Sequence, residues 1–354
     1  MSLRDASAYN VQFRRGRPIL VDSLSFEPAT PGAPWVAYRQ FCEHFLAPLA
    51  LMARVDVRLG GLMRANLEGI PLDLAARLLP SRTRLSVGLG PHVHLHARAQ
   101  RTHADDAVPT AAASGRTNSR ELSPSRSAAL IDSLDNTIAG LEWDARGTEW
   151  ADYAENSSYD ERATTAKEAA VGAALAAAGG NRAWDLGANT GRYSRIAAAL
   201  GYSVIAFDID PAAVERNYLS IRREREERIL PLLGDLADPS PARGWAGTER
   251  RSLLDRADAD VALALALVHH LAIGRNVPLS MIADLLARLA RDSIVEFVPR
   301  EDAMVRRLLA SRKDVFPNYT FAGFRAAFAE HFELIKETPI ESTQRTLFHY
   351  RRRD

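Results

Sequence analysis

AWDLGANTGRYSRIAAALGYSVIAFDIDP, residues Ala183 to Pro211, decides the fold. It reads as strand, glycine turn, helix, strand and acidic end. The first predicted strand closes at Trp184-Asp185-Leu186, and the turn is Gly187-Ala188-Asn189-Thr190-Gly191. The helix runs from about Arg192 to Leu200, with Gly201 as its C-terminal stop. Ser203 to Phe207 is a short apolar strand that ends in Asp208. The whole is a βαβ half-unit with a nucleotide-sized crevice at its strand ends. Gly187 and Gly191 let the backbone turn tightly, so that a ligand approaches without meeting a Cβ. Asp208 stands where a carboxylate accepts hydrogen bonds from both hydroxyls of a ribose.

Dinucleotide enzymes share that logic, but their turn is G-x-G-x-x-G. Here it is D-x-G-x-x-x-G, and Ala188-Asn189-Thr190 does not supply the missing glycine. An NAD-linked oxidoreductase is therefore the weaker reading. Asp185 would repel a pyrophosphate yet suits a ligand with a cationic amino group, which tilts the reading towards S-adenosylmethionine.

At this point the chain resembles a family. Asp185 to Gly191 is similar to motif I of the class I S-adenosylmethionine-dependent methyltransferases, with Asn189 where many members carry glycine. Asn tolerates the left-handed backbone better than most residues. Ala206-Phe207-Asp208-Ile209-Asp210 resembles motif II, Leu232-Leu233-Gly234-Asp235-Leu236 motif III, and Asp260 to His270 motif IV. The resemblance covers roughly Trp150 to Arg353. It implies a Rossmann-like α/β fold with a seven-stranded, mostly parallel sheet, closed by an antiparallel pair at Phe332–Thr338 and Thr346–Tyr350. It implies S-adenosyl-L-methionine as cofactor, held by Asp185, Gly187, Asn189, Gly191, Asp208, Ile209, Asp235 and Leu236. The HHLAI and EFVP stretches look like a bacterial group labelled nodulation-type methyltransferases, a label that names no acceptor.

Composition sets the frame. The chain has 354 residues, 47% hydrophobic and 25% charged, as in a soluble globular protein with room for two domains. Its formal net charge of +1 gives no global field for nucleic acid or membrane. Cys42 is the only cysteine, so no intrachain disulfide or cysteine zinc cluster forms. No apolar run spans a membrane and the start has no signal-peptide core, so a cytoplasmic protein is expected.

Residues 1–97 read as a smaller α+β region, 98–128 as a flexible linker and 129–354 as the methyltransferase domain. In the first region Asp5, Asn10 and Asp22 weakly resemble the catalytic loop and metal-binding Asp of kinase-like phosphotransferases. The His-Arg before the first acid and the Phe-Gly after the last are missing, so the resemblance reads as coincidence or as a degenerate remnant used for binding, with Met1 a late start or a truncation. Pro91 to His96, PHVHLH, would put His92, His94 and His96 on one face of a strand. No nearby acid or cysteine completes a metal set, and none is assigned.

Asp260 to Val268 reads as a central parallel strand, with His269 and His270 at its C-terminal end, where open α/β sheets keep their chemistry. These two are the candidate proton acceptors. Tyr153 and Tyr159, in an aromatic segment before the core, are candidates to contact the acceptor. Glu296 lies inside the apolar strand SIVEFV, so it is paired or faces the crevice. No Asn/Asp-Pro-Pro-Tyr/Phe motif follows the fourth strand, which leaves hydroxyl or amine acceptors on a small molecule or a protein side chain. The rival reading is a module that binds the cofactor without turnover and serves in assembly or scaffolding.

Overall fold

The computed structural model describes residues 1–99, 123–145, 160–310 and 313–354. The chain forms two compact units, Met1–Phe13 with Pro18–Asp144, and Arg14–Arg17 with Ala145–Asp354.

The second unit is a seven-stranded sheet. Its strands are β1 (Arg182–Leu186), β2 (Ser203–Asp208), β3 (Ile229–Leu233), β4 (Ala259–Ala264), β5 (Ala290–Phe297), β6 (Phe332–Pro339) and β7 (Thr346–Arg352). They lie in the order β6-β7-β5-β4-β1-β2-β3. Neighbours from β5 to β3 are parallel, while β7 runs antiparallel to both β5 and β6. That is the sheet, with its inserted last strand, which the class I resemblance implies. The order reverses at β1, and ligands of open α/β sheets sit at such a switch point.

The central strands are apolar on both faces because helices cover both. Ala183 and Val261 join one cluster, with Val171 and Leu175 of helix α1 (Glu161–Ala178). Trp184, Leu186 and Ala262 point to the other, with Ile282 and Leu286 of helix α4 (Leu279–Leu289). Between these helices in sequence lie α2 (Arg192–Ala199) and α3 (Pro211–Glu224). Beyond α4 come α5 (Ala303–Ala310) and α6 (Phe321–Ala329). Phe324 and Phe328 of α6 stack against Phe348 and Tyr350 of β7. Thr320 caps α6 by accepting from the Gly323 amide, as its position before the helix leads one to expect.

One strand departs from its reading. The apolar run Asp260–Val268 stays extended only as far as Ala264, because Ala266 takes a left-handed φ of 49°. His269 and His270 stand in the helical turn that follows, not on the strand end.

In the first unit Ser2–Leu3 pairs antiparallel with Phe26–Glu27. A continuous helical stretch runs Tyr38–Phe41, Cys42–Leu46 and Ala47–Arg54, its middle turn widened to π just ahead of Pro48, which has no N–H to donate. PHVHLH is not a strand: Gly90–Leu95 is a π-helical turn. The apolar spacing Leu89, Val93, Ala97 is helical, and all three are buried. The histidines consequently part company. His92 bonds the Tyr38 hydroxyl and Ser133, His94 bonds Thr83, and His96 stacks on the Tyr38 ring. The helix Pro124–Ala139 buries Leu134 in the same core, so its contacts group it with the first unit.

Asp5 accepts from the Ser7 amide and Gln40, and Asp22 accepts from the Leu24 amide and Ser25. Among the described residues no group of three or more His, Cys, Asp or Glu is placed to hold a metal ion. Among them, too, no helix is long and apolar enough to cross a membrane.

Candidate active site

The β1–α2 turn is shaped by its left-handed residues. Gly187 (φ 76°) takes the chain off β1, and the amides of Gly187 and Ala188 donate to the Phe207 carbonyl at 2.9 and 2.8 Å. Asn189 occupies the left-handed region at φ 50°, the conformation its side chain was expected to tolerate. Gly191 closes the turn at φ 80°, and a Cβ there would stand 2.4 Å from Asn217 Oδ1, so only glycine fits.

The turn and the β2 end hold each other. The Asn189 amide donates to Asp208 Oδ2 at 2.7 Å, and the Asp210 amide donates to Oδ1 at 2.8 Å. Burial lifts the Asp208 carboxyl above its usual range, against the pull of these amides. Each carboxylate oxygen keeps a lone pair after one amide bond.

A cavity of about 640 Å³ opens over these strand ends. Gly187, Asn189, Asp208 and Ile209 line it from β1 and β2, Asp235 and Leu236 from beyond β3, and His270 from beyond β4. Asp235 Oδ1 accepts from the Ala237 amide at 2.8 Å, and Oδ2 takes an ion pair from Arg275 at 3.0 Å.

Three candidates do not line the cavity. Gly191 acts on the backbone only. Asp185 is buried behind the turn, accepting from Ser194 Oγ at 2.6 Å, and burial pushes its carboxyl up to about 6. His269 is wholly buried and neither ring nitrogen has a hydrogen-bond partner; burial drives its imidazole far below the usual value. Its ring packs 4.2 Å from that of His270. Only His270 of the pair reaches the cavity. Burial first, and then the Arg345 guanidinium, push it down to about 4, so it is a neutral imidazole at pH 7. Tyr153 and Tyr159 lie outside the described residues.

Other cavity residues carried little signal. Lys167, in the alanine-rich helix α1, is buried in the cavity wall with its Nζ 4.8 Å from the centre of the Tyr193 ring. It donates to Glu296 Oε2 at 2.6 Å. Glu296 also meets Arg345 Nη1 at 3.4 Å. The anomaly of an acid inside SIVEFV pointed to a partner, but neither partner is near it in sequence.

No family model matches the chain. Nodulation protein NoeA of Rhizobium meliloti strain 1021 is 36% identical to it over 352 residues, 99% of this chain and 73% of that protein. The chain belongs to the NoeA family. Among solved structures, the N-methyltransferase NodS from Bradyrhizobium japonicum WM9 is similar at 11% identity and a TM-score of 0.40, over 55% of this chain and 99% of that one. Magnesium protoporphyrin IX methyltransferase (ChlM) from Synechocystis PCC 6803, solved with bound SAH, is similar at 16% identity and a TM-score of 0.42, over 57% of this chain and 93% of that one.

Proposed function

We propose that this NoeA relative is an S-adenosylmethionine-dependent methyltransferase, with its chemistry in the unit Ala145–Asp354 and a hydroxyl or amine acceptor. The observation that carries the reading is Asp208. Its carboxylate lines the cavity beside a glycine turn, oriented by two backbone amides and with acceptor capacity left for the two hydroxyls of a ribose.

The residues fit the cofactor. Gly187 opens the backbone to the cavity, Ile209 offers an apolar face for a purine, and Asp235 stands beyond it on the β3 side. A volume of about 640 Å³ accommodates a nucleoside with an amino-acid tail. When bound, S-adenosylmethionine supplies a methyl group on a cationic sulfur, open to in-line displacement. Asp185, behind the turn, contributes negative potential through the fold and makes no direct contact. The cavity walls exclude water and align the acceptor, which accounts for much of the catalysis such a reaction needs. His270, held neutral in the cavity wall, is the candidate among the described residues for taking a proton from an acceptor.

Titration calorimetry with S-adenosylmethionine and S-adenosylhomocysteine tests this on the full chain. Micromolar binding that is lost in Asp208→Ala supports it. A folded wild type that binds neither ligand overturns it. Binding without transfer to any hydroxyl or amine, in a screen with labelled methyl groups, favours the module that binds and does not turn over.

A further inference from the structure

The cavity has a second organising centre that no motif marks. It lies on the β4–β5 side of the sheet and is made of buried charge. Glu296, on β5, is fully buried. Its Oε2 accepts from Lys167 Nζ at 2.6 Å and from the Ala266 amide at 2.7 Å. Its Oε1 meets Arg345 Nη1 at 3.4 Å. Arg345 is 1% exposed and forks onto Asp302, Nε to Oδ2 at 2.7 Å and Nη2 to Oδ1 at 3.1 Å. Asp302 in turn accepts from the Met304 amide in the first turn of α5.

The Ala266 contact gives this cluster a direction. A non-glycine residue at a φ of 49° costs about 1–2 kcal/mol and persists only where its surroundings impose it. The bend ends β4 at Ala264 and starts the turn that carries Leu267 and His270 into the cavity wall. The bond that fixes the bend comes from the neighbouring strand. A hydrophobic residue at 296 would fill the core equally well but leave the Ala266 amide without its acceptor.

We infer that Glu296 is a positioning residue: through the Ala266 amide it holds the β4 exit in the bend that presents Leu267 and His270 to the cavity, and Lys167 is the buried counter-ion that lets it serve as a carboxylate. The inference deepens the methyltransferase reading and rests on it for the meaning of the cavity, but the geometry it assigns is independent of any ligand. The burial of a bare carboxylate is costly, and Lys167 from α1 and Arg345 from the β6–β7 hairpin offset that cost. Arg345 keeps its fork on Asp302 when Glu296 changes, so the two ends of the cluster can be tested apart.

The test uses two double variants of the full chain, Glu296→Gln/Lys167→Met and Glu296→Leu/Lys167→Met. Both remove the charges and keep the volume, and buried ion pairs replaced in this way commonly leave a folded protein. Only the first retains an acceptor for the Ala266 amide. The readout is the ring carbon–proton NMR signals of His270, assigned against His270→Asn, together with S-adenosylhomocysteine affinity. The expected result is wild-type His270 signals in the Gln/Met protein. In the Leu/Met protein they are shifted or broadened, and affinity is about tenfold weaker, the worth of one hydrogen bond to a charged group. Identical His270 signals in both variants overturn the inference, since an ion pair that matters only for stability treats them alike. A wild type that binds no S-adenosylhomocysteine sinks the methyltransferase reading and leaves the His270 comparison standing.

Discussion

The two sides of the cavity are built in opposite ways. On the β1–β3 side, Asp208 is fixed by the amides of Asn189 and Asp210, all within a stretch of some 20 residues. On the β4–β5 side, Glu296 is fixed by Lys167, 129 residues away, by Ala266, 30 away, and by Arg345, 49 away. The first side uses backbone donors, which are present whatever the side chains. The second adds to one backbone donor, Ala266, long charged side chains whose meeting depends on the whole sheet being assembled. A site can thus be half local and half global, and the two halves should fail differently when struck.

The largest effect is expected on the global side. Glu296→Ala takes from the buried Lys167 its carboxylate partner, and should cost about 3–5 kcal/mol in denaturant unfolding of the second unit. A loss under about 1 kcal/mol would mean that the cluster is already hydrated and would weaken the contrast. On the local side, Asp208→Ala should lower S-adenosylhomocysteine affinity on the order of 100-fold in calorimetry, by loss of two bonds to a carboxylate. Its cost in stability should be the smaller of the two. Gly191→Ala should come next, at about 1–3 kcal/mol, because it combines left-handed backbone with a Cβ 2.4 Å from Asn217. Asn189→Gly should be the mildest, within about 1 kcal/mol either way, since the residue already adopts the conformation that glycine favours.

Titration separates the sides as well. His270, with a folded value near 4, binds fewer protons in the fold than in the unfolded chain, where imidazole titrates at about 6.5. Its contribution to stability is therefore complete above about pH 6.5 and is lost as pH falls towards 4. Asp185, raised to about 6, acts in the opposite sense: it holds a proton that the unfolded chain releases, so stability falls as pH rises from about 4 to 6. His269 is lowered by burial as well and acts in the same sense as His270, so His270→Asn should make stability fall less steeply towards acid than in the wild type. A variant whose profile over about pH 4 to 6.5 matches the wild type's would show that His270 already titrates normally.

What could be read in the sequence follows the same division. The turn, Asp208 and the strands themselves are encoded in short patterns of glycine, acid and apolar period, while the mostly parallel sheet with its inserted last strand is implied by the class I resemblance, and the fold follows both. Ala266 shows where such patterns stop. Asp260–Val268 is apolar throughout, so periodicity extends the strand past Ala264, and nothing nearby announces that a carboxylate from β5 will bend it. His269 and His270 are adjacent and look alike, yet one faces the core and the other the cavity, a choice made by that bend. PHVHLH misled for a related reason. Its alternating histidines suggest a strand, while Leu89, Val93 and Ala97 follow the helical period that packing obeys. Asp185 behaved more quietly than its motif suggests, spending its oxygen on Ser194.

The β6–β7 hairpin has a consequence for how the protein is made. β7 follows every other strand of the sheet in sequence yet lies inside it, between β5 and β6, and the turn before it carries Arg345. Until β7 is in place, β5 has an open edge and Glu296 lacks one of its cations. A ribosome therefore releases β1 to β5 well before the sheet can close, and the nascent unit waits with an adhesive edge exposed. Closure is a non-local pairing and correspondingly slow. The same insertion that completes the cavity makes the interval before β7 emerges the one in which this unit is most open to aggregation.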